Sequence, residues 1–411
     1  MGVNLTQIQK FFDDLKVIGR NDEGGITRLS YSSDFRQAQE LVRSYMEQAG
    51  MEVEVDPIGN LIGSYRGKDE DLPAVISGSH LDTVPNGGAF DGALGVVVAV
   101  ECIRCWHEQG WRPQRTVKVI AFVEEEGTRF GLACLGSRAM LGEFSSQSPE
   151  NIVDASGHFL LQFLAETGFD PDVFSHAGGI QHQTLCFIEL HVEQGAELEE
   201  NAIPVGIVSA IVGIDRLNVK IEGKANHAGT TPMDRRQDAL VAAALLVSYI
   251  YKQASASKGK YVATVGKLNV SPNAENIVPG EVCLTIEIRA EDVAMIDKVR
   301  SKFLNRLRKV QAQYNVKAEI MKVNRIPPVQ LDGMVTDHIC AAGKRLGIEY
   351  KILPSWAGHD AMSFAKFVPT GMIFVPSING VSHSPAEESD WDSIMKAAQL
   401  LEETLRGLSS C

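Results

Sequence analysis

Long apolar runs are missing from this 411-residue chain. The run Ala239–Leu246 falls far short of the roughly 20 residues that cross a bilayer, so no membrane partner is expected. The first residues lack the basic and apolar stretches of a secretory leader. Met1-Gly-Val-Asn-Leu-Thr6 formally fits a myristoylation pattern, but that pattern is short enough to arise by chance. Cysteine is sparse. Seven, at irregular spacing, make no disulfide framework in a chain of this size. Cys102 and Cys105 form C-x-x-C inside a helix-like stretch with no second pair, and read as packing residues. A reducing, cytoplasmic setting is expected. Basic charge is in deficit too: 39 Lys and Arg against 52 Asp and Glu give a formal net charge of −13. That disfavours nucleic acid and anionic membranes as partners. It leaves room for an anionic substrate held by local arginines.

What is present is ordinary globular material, 44% apolar and 22% charged, long enough for two or three domains. Up to Phe130, helix, strand and loop alternate. Thr6–Leu15, Asp34–Ala49 and Ala93–His107 carry helical spacing. Met51–Val55, Asn60–Tyr65, Ala74–Ser77 and Thr116–Val123 read as strands. That alternation is the α/β signature. Near residue 212 the pattern changes. Leu217, Val219 and Ile221 alternate with Asn218, Lys220 and Glu222, a strand with one wet face. Helix Ala239–Tyr251, strands Val262–Val270 and Val282–Arg289, helix Asp292–Tyr314 and strand Val316–Val323 complete a β-α-β-β-α-β order, the ferredoxin-like arrangement. After Pro327-Pro328 the α/β type resumes. The expectation is a discontinuous α/β domain, residues 1–211 and 329–411, interrupted by an α+β domain at 212–328.

Chemistry-bearing residues gather where strands end. Ser77-Gly-Ser-His-Leu-Asp-Thr83 follows a buried-type strand, and Phe90-Asp91-Gly92 opens an apolar helix. His80, Asp82 and Asp91 therefore fall on loops at the sheet edge, where α/β folds place ligands. Imidazole and carboxylate donors suit a borderline divalent metal such as zinc or manganese. Asp82, two residues past His80, is expected to orient the second ring proton of that imidazole. The alternative is a turn merely rich in polar residues. Four further segments carry His or Glu beside Gly after apolar strands: Glu124-Glu-Glu-Gly127, Glu189-Leu-His-Val-Glu-Gln-Gly195, Gly358-His-Asp360 and Ser382-His-Ser-Pro-Ala-Glu387.

Together with Asn226-His-Ala-Gly-Thr-Thr-Pro-Met233, these segments resemble, in order and over nearly the whole chain, the N-carbamoyl-L-amino acid hydrolase and allantoate amidohydrolase family of dinuclear-metal aminoacylases and carboxypeptidases. The resemblance implies a zinc-exopeptidase-like α/β/α catalytic domain with an inserted ferredoxin-like lid and dimerisation domain. It implies two divalent ions per subunit, zinc or manganese, with cobalt or nickel also accepted. Asp91 would bridge them, with His80 and His191 completing one site and Glu126 and His383 the other. Glu125 would be the general base. If the strand simply continued, Glu126 would point away from Glu125, whereas a turn brings both to the site. His227 would reach the substrate from the lid, commonly across a homodimer interface, and stabilise the oxyanion. Asn276 and Arg289 would hold a carboxylate, and Gln194 and His359 would contact the substrate.

The implied reaction is hydrolysis of the carbamoyl group of a small ureido acid, releasing ammonia and carbon dioxide. His191 stands where peptidase relatives usually have a carboxylate, which favours the carbamoyl-hydrolysing branch. Ile214 departs from the Gln often found in allantoate hydrolases, whereas Asp215-Arg216 resembles that branch. Trp356 replaces a residue that is small in both. An aminoacylase or dipeptidase on the same fold and a non-catalytic dimeric binding protein are the other readings.

Overall fold

The protein is described from a computed structural model covering residues 2–146, 149–169 and 179–410. The chain divides into two compact units: residues up to Ser209 together with those from Leu331 onward, and Ala210–Gln330.

The first unit is built on a mixed sheet. Its strands run in the order Glu52–Val55, Leu61–Tyr65, Val117–Phe122, Ala74–His80, Thr184–Val192, Thr370–Val375, Val205–Ile211, with Tyr350–Ser355 also paired to the last of these. The four central strands are parallel, with His80 opposite Phe122 and His191 opposite Phe374. These strands are buried on both faces, hence their near-continuous apolar sequences. Because they are parallel, their C-terminal ends share one edge, and that edge carries His80, the Glu124–Glu126 turn and His191. Helix Ala93–Glu108 is apolar all round and buried along most of its length, as a helix enclosed by other elements must be. Its first turn lies against the sheet at Gly95, where a Cβ would come within 2.1 Å of the Leu190 carbonyl oxygen. Cys102 and Cys105 are buried, unbridged residues of this helix. Among the described residues no helix is long and apolar enough to cross a membrane.

The second unit has a four-stranded antiparallel sheet in the order Lys317–Ile326, Gly213–Glu222, Glu281–Ala290, Val262–Ser271. This is the strand order of a ferredoxin-like β-α-β-β-α-β unit. Leu217, Val219, Ile221, Val282, Leu284, Ile286 and Ile288 form one face and pack against helices Ala239–Ser255 and Val293–Tyr314. Period-two alternation leaves Arg216, Thr285, Glu287 and Arg289 on the other face. A two-residue strand pair, Asn226–His227 with Ile277–Val278, has no counterpart in the sequence pattern.

Candidate metal centre

Strand Ala74–His80 ends in a wholly buried imidazole, and the chain turns at once. That turn corrects the expectation for Asp82. The proton on His80 Nδ1 goes to the Asp82 main-chain carbonyl at 2.9 Å, while the carboxylate stands 3.9 Å away. The Asp82 carboxylate instead accepts hydrogen bonds from the Glu125 and Glu126 amides, both at 3.1 Å. Side chains two residues apart share a face only while a strand lasts, and here it has ended. Asp82 thus orients His80 through its backbone and braces the acidic turn through its side chain. Gly92 is required beside them: its φ is +65°, and a Cβ there would lie 2.5 Å from the His80 ring.

Asp91 divides its two oxygens. Oδ1 lies 3.4 Å from His80 Nε2 and 3.1 Å from His191 Nε2. Oδ2 lies 3.1 Å from His383 Nε2, which is 3.5 Å from Glu126 Oε1. Gln194 Nε2 donates to Asp91 Oδ2 at 2.8 Å. The expected five donors thus form two groups that share one carboxylate.

The hydrogen-bond network also fixes the imidazole tautomers. His191 Nδ1 gives its proton to the Val192 carbonyl at 2.9 Å, which leaves its Nε2 as the unprotonated ring nitrogen. With both Nδ1 protons committed, His80 Nε2, His191 Nε2 and Asp91 Oδ1 turn lone pairs toward one another at 3.1–3.5 Å. Donor atoms bound tetrahedrally at about 2.0–2.1 Å from one zinc stand roughly 3.3 Å apart. The donor set therefore fits a divalent cation in chemistry, tautomer and spacing. Its electrostatics agree. Burial works against charge on His80 and His191, yet hydrogen bonding to Asp91 and the surrounding carboxylates raise both above the ordinary imidazole value. Asp91 hydrogen bonding raises His383 to about 9. Burial opposes ionisation of Asp91 as well, but the three imidazoles hold it well below the ordinary carboxylate range. The pocket demands positive charge.

The strand before the acidic triplet stops at Phe122, and Glu124 takes φ +58°. This left-handed residue makes the turn that brings both following glutamates to the site. Glu125 Oε2 lies 3.7 Å from His80 Nε2. Burial pushes the Glu125 carboxyl well above its usual value; His80 opposes this, and Glu126, Asp360 and Asp82 add to it. Burial beside Asp91 raises Glu126 to about 7. Glu124 itself is buried and accepts from the Arg129 and Phe130 amides, so it shapes the loop rather than facing solvent.

Three buried carboxylates had no assigned part in the sequence reading. Glu387 accepts from the Phe90 and Asp91 amides at 2.8 and 3.1 Å and from the Ser382 hydroxyl at 2.9 Å, tying the His383 loop to Asp91. Glu189 accepts from Ser79 and from the Ala361 amide. It is two residues from His191 on one strand and shares its face, a signal that period-two reasoning offers. Asp360 accepts from Ser137 at 2.5 Å. His359, expected to touch substrate, is 1% exposed. It pairs with the Ser355 hydroxyl at 2.9 Å, and its ring packs on His191 at 4.4 Å between centroids. Burial first, then the neighbouring His191, lowers its pKa well below the ordinary value. The structure makes it a neutral support for His191.

His227, Asn276 and Arg289 belong to the second unit. His227 is exposed, and its Nδ1 accepts from the Gly229 and Thr230 amides at 3.0 and 3.3 Å. Its proton is therefore on Nε2, as a donor. The exposed Asn276 stands beside it, its carbonyl accepting from the Ala228 amide. Arg289 Nε donates to Glu287 at 2.7 Å, and the same glutamate pairs with Arg216.

Comparison with known proteins agrees with this architecture. The model of Peptidase family M20/M25/M40 matches residues 76–407. The chain is 39% identical over 392 residues to an N-carbamoyl-L-amino acid amidohydrolase of Geobacillus stearothermophilus, covering 95% of each chain. It is 36% identical over 388 residues to an allantoate amidohydrolase of Escherichia coli, covering 94% of each. The crystal structure of an amidase of the hydantoinase/carbamoylase family from Burkholderia multivorans superposes with a TM-score of 0.93 at 29% identity, covering 100% of this chain and 99% of that one. The chain is a hydrolase and belongs to Peptidase family M20/M25/M40.

Proposed function

We propose that this chain is a metal-dependent amidohydrolase that cleaves the carbamoyl C–N bond of a small ureido acid, an N-carbamoyl-L-amino acid or allantoate, with release of ammonia and carbon dioxide. The observation that carries the reading is the division of Asp91 between two donor groups beside the buried Glu125. Relatives named for carbamoyl-amino acid and allantoate hydrolysis support the substrate class.

His80, His191 and Asp91 would hold one divalent ion, zinc or manganese, and Asp91, Glu126 and His383 a second. Ions held by these residues would supply Lewis acidity toward the carbamoyl oxygen and toward a water. Glu125 takes the proton of the attacking water and returns it to the leaving nitrogen. His227 Nε2–H donates to the oxygen on which charge develops. Arg289, aimed by Glu287, and Asn276 hold the carboxylate. Gln194, bound to Asp91, lines the substrate side of the centre.

Strand register bears on how many chains one site needs. Arg289 pairs with Ile214 at one end of the sheet, while the segments leading to His227 and Asn276 leave from the Glu222–Glu281 end. Eight strand residues separate those ends, roughly 26 Å. No small ureido acid spans that distance, so a substrate held by Arg289 receives His227 and Asn276 from a second copy. We infer a homodimer through this unit. Neither His227→Ala nor Arg289→Ala alone is then expected to turn over substrate appreciably. Refolded or subunit-exchanged mixtures of the two should recover about a quarter of wild-type activity, because half the dimers are hybrid and each hybrid has one intact site. A mixture no more active than its components would refute the shared site.

The substrate test is an ammonia-release screen on manganese-loaded protein. It compares allantoate, ureidoglycolate, N-carbamoyl-L-amino acids and N-carbamoyl-β-alanine with dipeptides and N-acetyl amino acids assayed for amine release. Turnover of ureido acids alone is expected. Preference for dipeptides or N-acetyl amino acids would replace the reading with a peptidase or aminoacylase, and silence on every substrate would leave a binding protein.

A further inference from the structure

We propose that Cys134 is a positioning residue for Glu125, its thiol holding the carboxylate where proton transfer occurs. The inference rests on the amidohydrolase reading above, in which Glu125 is the base.

Cys134 is 8% exposed and unbridged. Its Sγ–H donates to Glu125 Oε1 at 3.4 Å. Among the described residues no other donor is hydrogen-bonded to that carboxylate; its second oxygen only faces His80 Nε2 at 3.7 Å. Asp82, Glu126 and Asp360 all surround Glu125 with like charge. A base in such company needs a tether, or it swings toward whatever cation is near. A thiol is a weak donor with a long reach.

The main chain fixes the pair. The Cys134 amide donates to the Glu125 carbonyl at 2.8 Å, Leu135 to Glu124 at 3.0 Å, and Gly136 to Val123 at 3.0 Å. Residues 134–136 are thus zipped alongside 123–125, and the intervening loop closes the turn. Cys134 itself has φ +56°, a strained conformation for a non-glycine residue that persists where the surroundings over-determine it. Burial first, then Glu125 and Asp360, push the thiol well above its ordinary value, so the proton stays on sulfur.

Two measurements test this. Infrared difference spectra, wild type minus Cys134→Ala, isolate the Cys134 S–H stretch. It is expected at lower wavenumber than an unbonded thiol, and to move up when the same difference is taken in a Glu125→Ala background. A band at the same position in both backgrounds overturns the contact. In steady-state kinetics, Cys134→Ala and Cys134→Val should lower kcat about fivefold with KM unchanged, the worth of one modest hydrogen bond. Cys134→Ser, which restores a donor, should recover kcat to within about twofold of wild type. Unchanged kcat in Cys134→Ala, or losses that serine does not rescue, would reduce Cys134 to packing. If the wild type hydrolyses no ureido or amide substrate, the functional reading fails, while the infrared arm still decides whether the thiol holds Glu125.

Discussion

Replacing Glu125 with Gln is expected to lower kcat by about 10²–10⁴-fold, the usual worth of a positioned general base, while metal content stays at the wild-type level. Gln keeps the size and burial of the side chain and can still accept a hydrogen bond, but it cannot take a proton from water. The metal readout matters because Glu125 also lies in reach of His80 and Glu126 as a third group of donors. Loss of an ion together with activity would make Glu125 a ligand instead of the base. Stability gives an independent check. Glu125 is a buried carboxylate among Glu126, Asp360 and Asp82, and like charges at such separations repel strongly in a desolvated site. Removing one of them should leave Tm unchanged or raise it, the signature of a residue kept for chemistry at a cost in stability. A marked drop in Tm would point to a structural role.

The residues that chemistry needs were legible because strand ends are legible. Apolar runs closed by Gly, Asp and His mark where a parallel sheet presents its edge, so His80, Asp82 and Asp91 could be placed there before any fold was known, while the family resemblance joined His191 to His80 and Asp91. The inserted unit was equally readable, since Leu217, Val219 and Ile221 alternate with polar neighbours and only a half-buried strand does that. What escaped depends on where chains turn and on partners distant in sequence. Asp82 was expected to face His80 with its carboxylate. The strand stops at His80, so the carbonyl reaches the ring and the carboxylate reaches Glu125 and Glu126. Glu387 holds the amides of Phe90 and Asp91 nearly three hundred residues away, a pairing no local pattern encodes. His359 looked like a substrate contact from its motif, yet burial and the Ser355 bond make it a brace. The pair Asn226–His227 and Ile277–Val278 is too short to show any period.

Asp91→Asn should empty the centre. Carboxamide and carboxylate are nearly the same size, so the loop held by Glu387 has no steric reason to move. The change is electronic. Asp91 presents Oδ1 to His80 and His191 and Oδ2 to His383 and Gln194, and Asn has only one oxygen to offer. Its NH₂ would face either the two lone pairs of His80 and His191 or the Gln194 amide donor. In both orientations the two donor groups lose their shared anion, and one of them gains a hydrogen that repels a cation. Metal analysis after gel filtration should find no ion retained in either donor group, with turnover lost. His383→Ala is the matched control: it removes a donor from one group and leaves His80, His191 and Asp91 intact, so one ion should remain. Thermal melting reads the same equilibrium without substrate. Chelation should lower the Tm of the wild type, since a ligand bound only by the folded state stabilises it by mass action, and should have little effect on Asp91→Asn. If Asp91→Asn holds as much metal as the wild type and responds to chelator equally, the two donor groups do not share a carboxylate, and the dinuclear centre must be abandoned for two independent clusters.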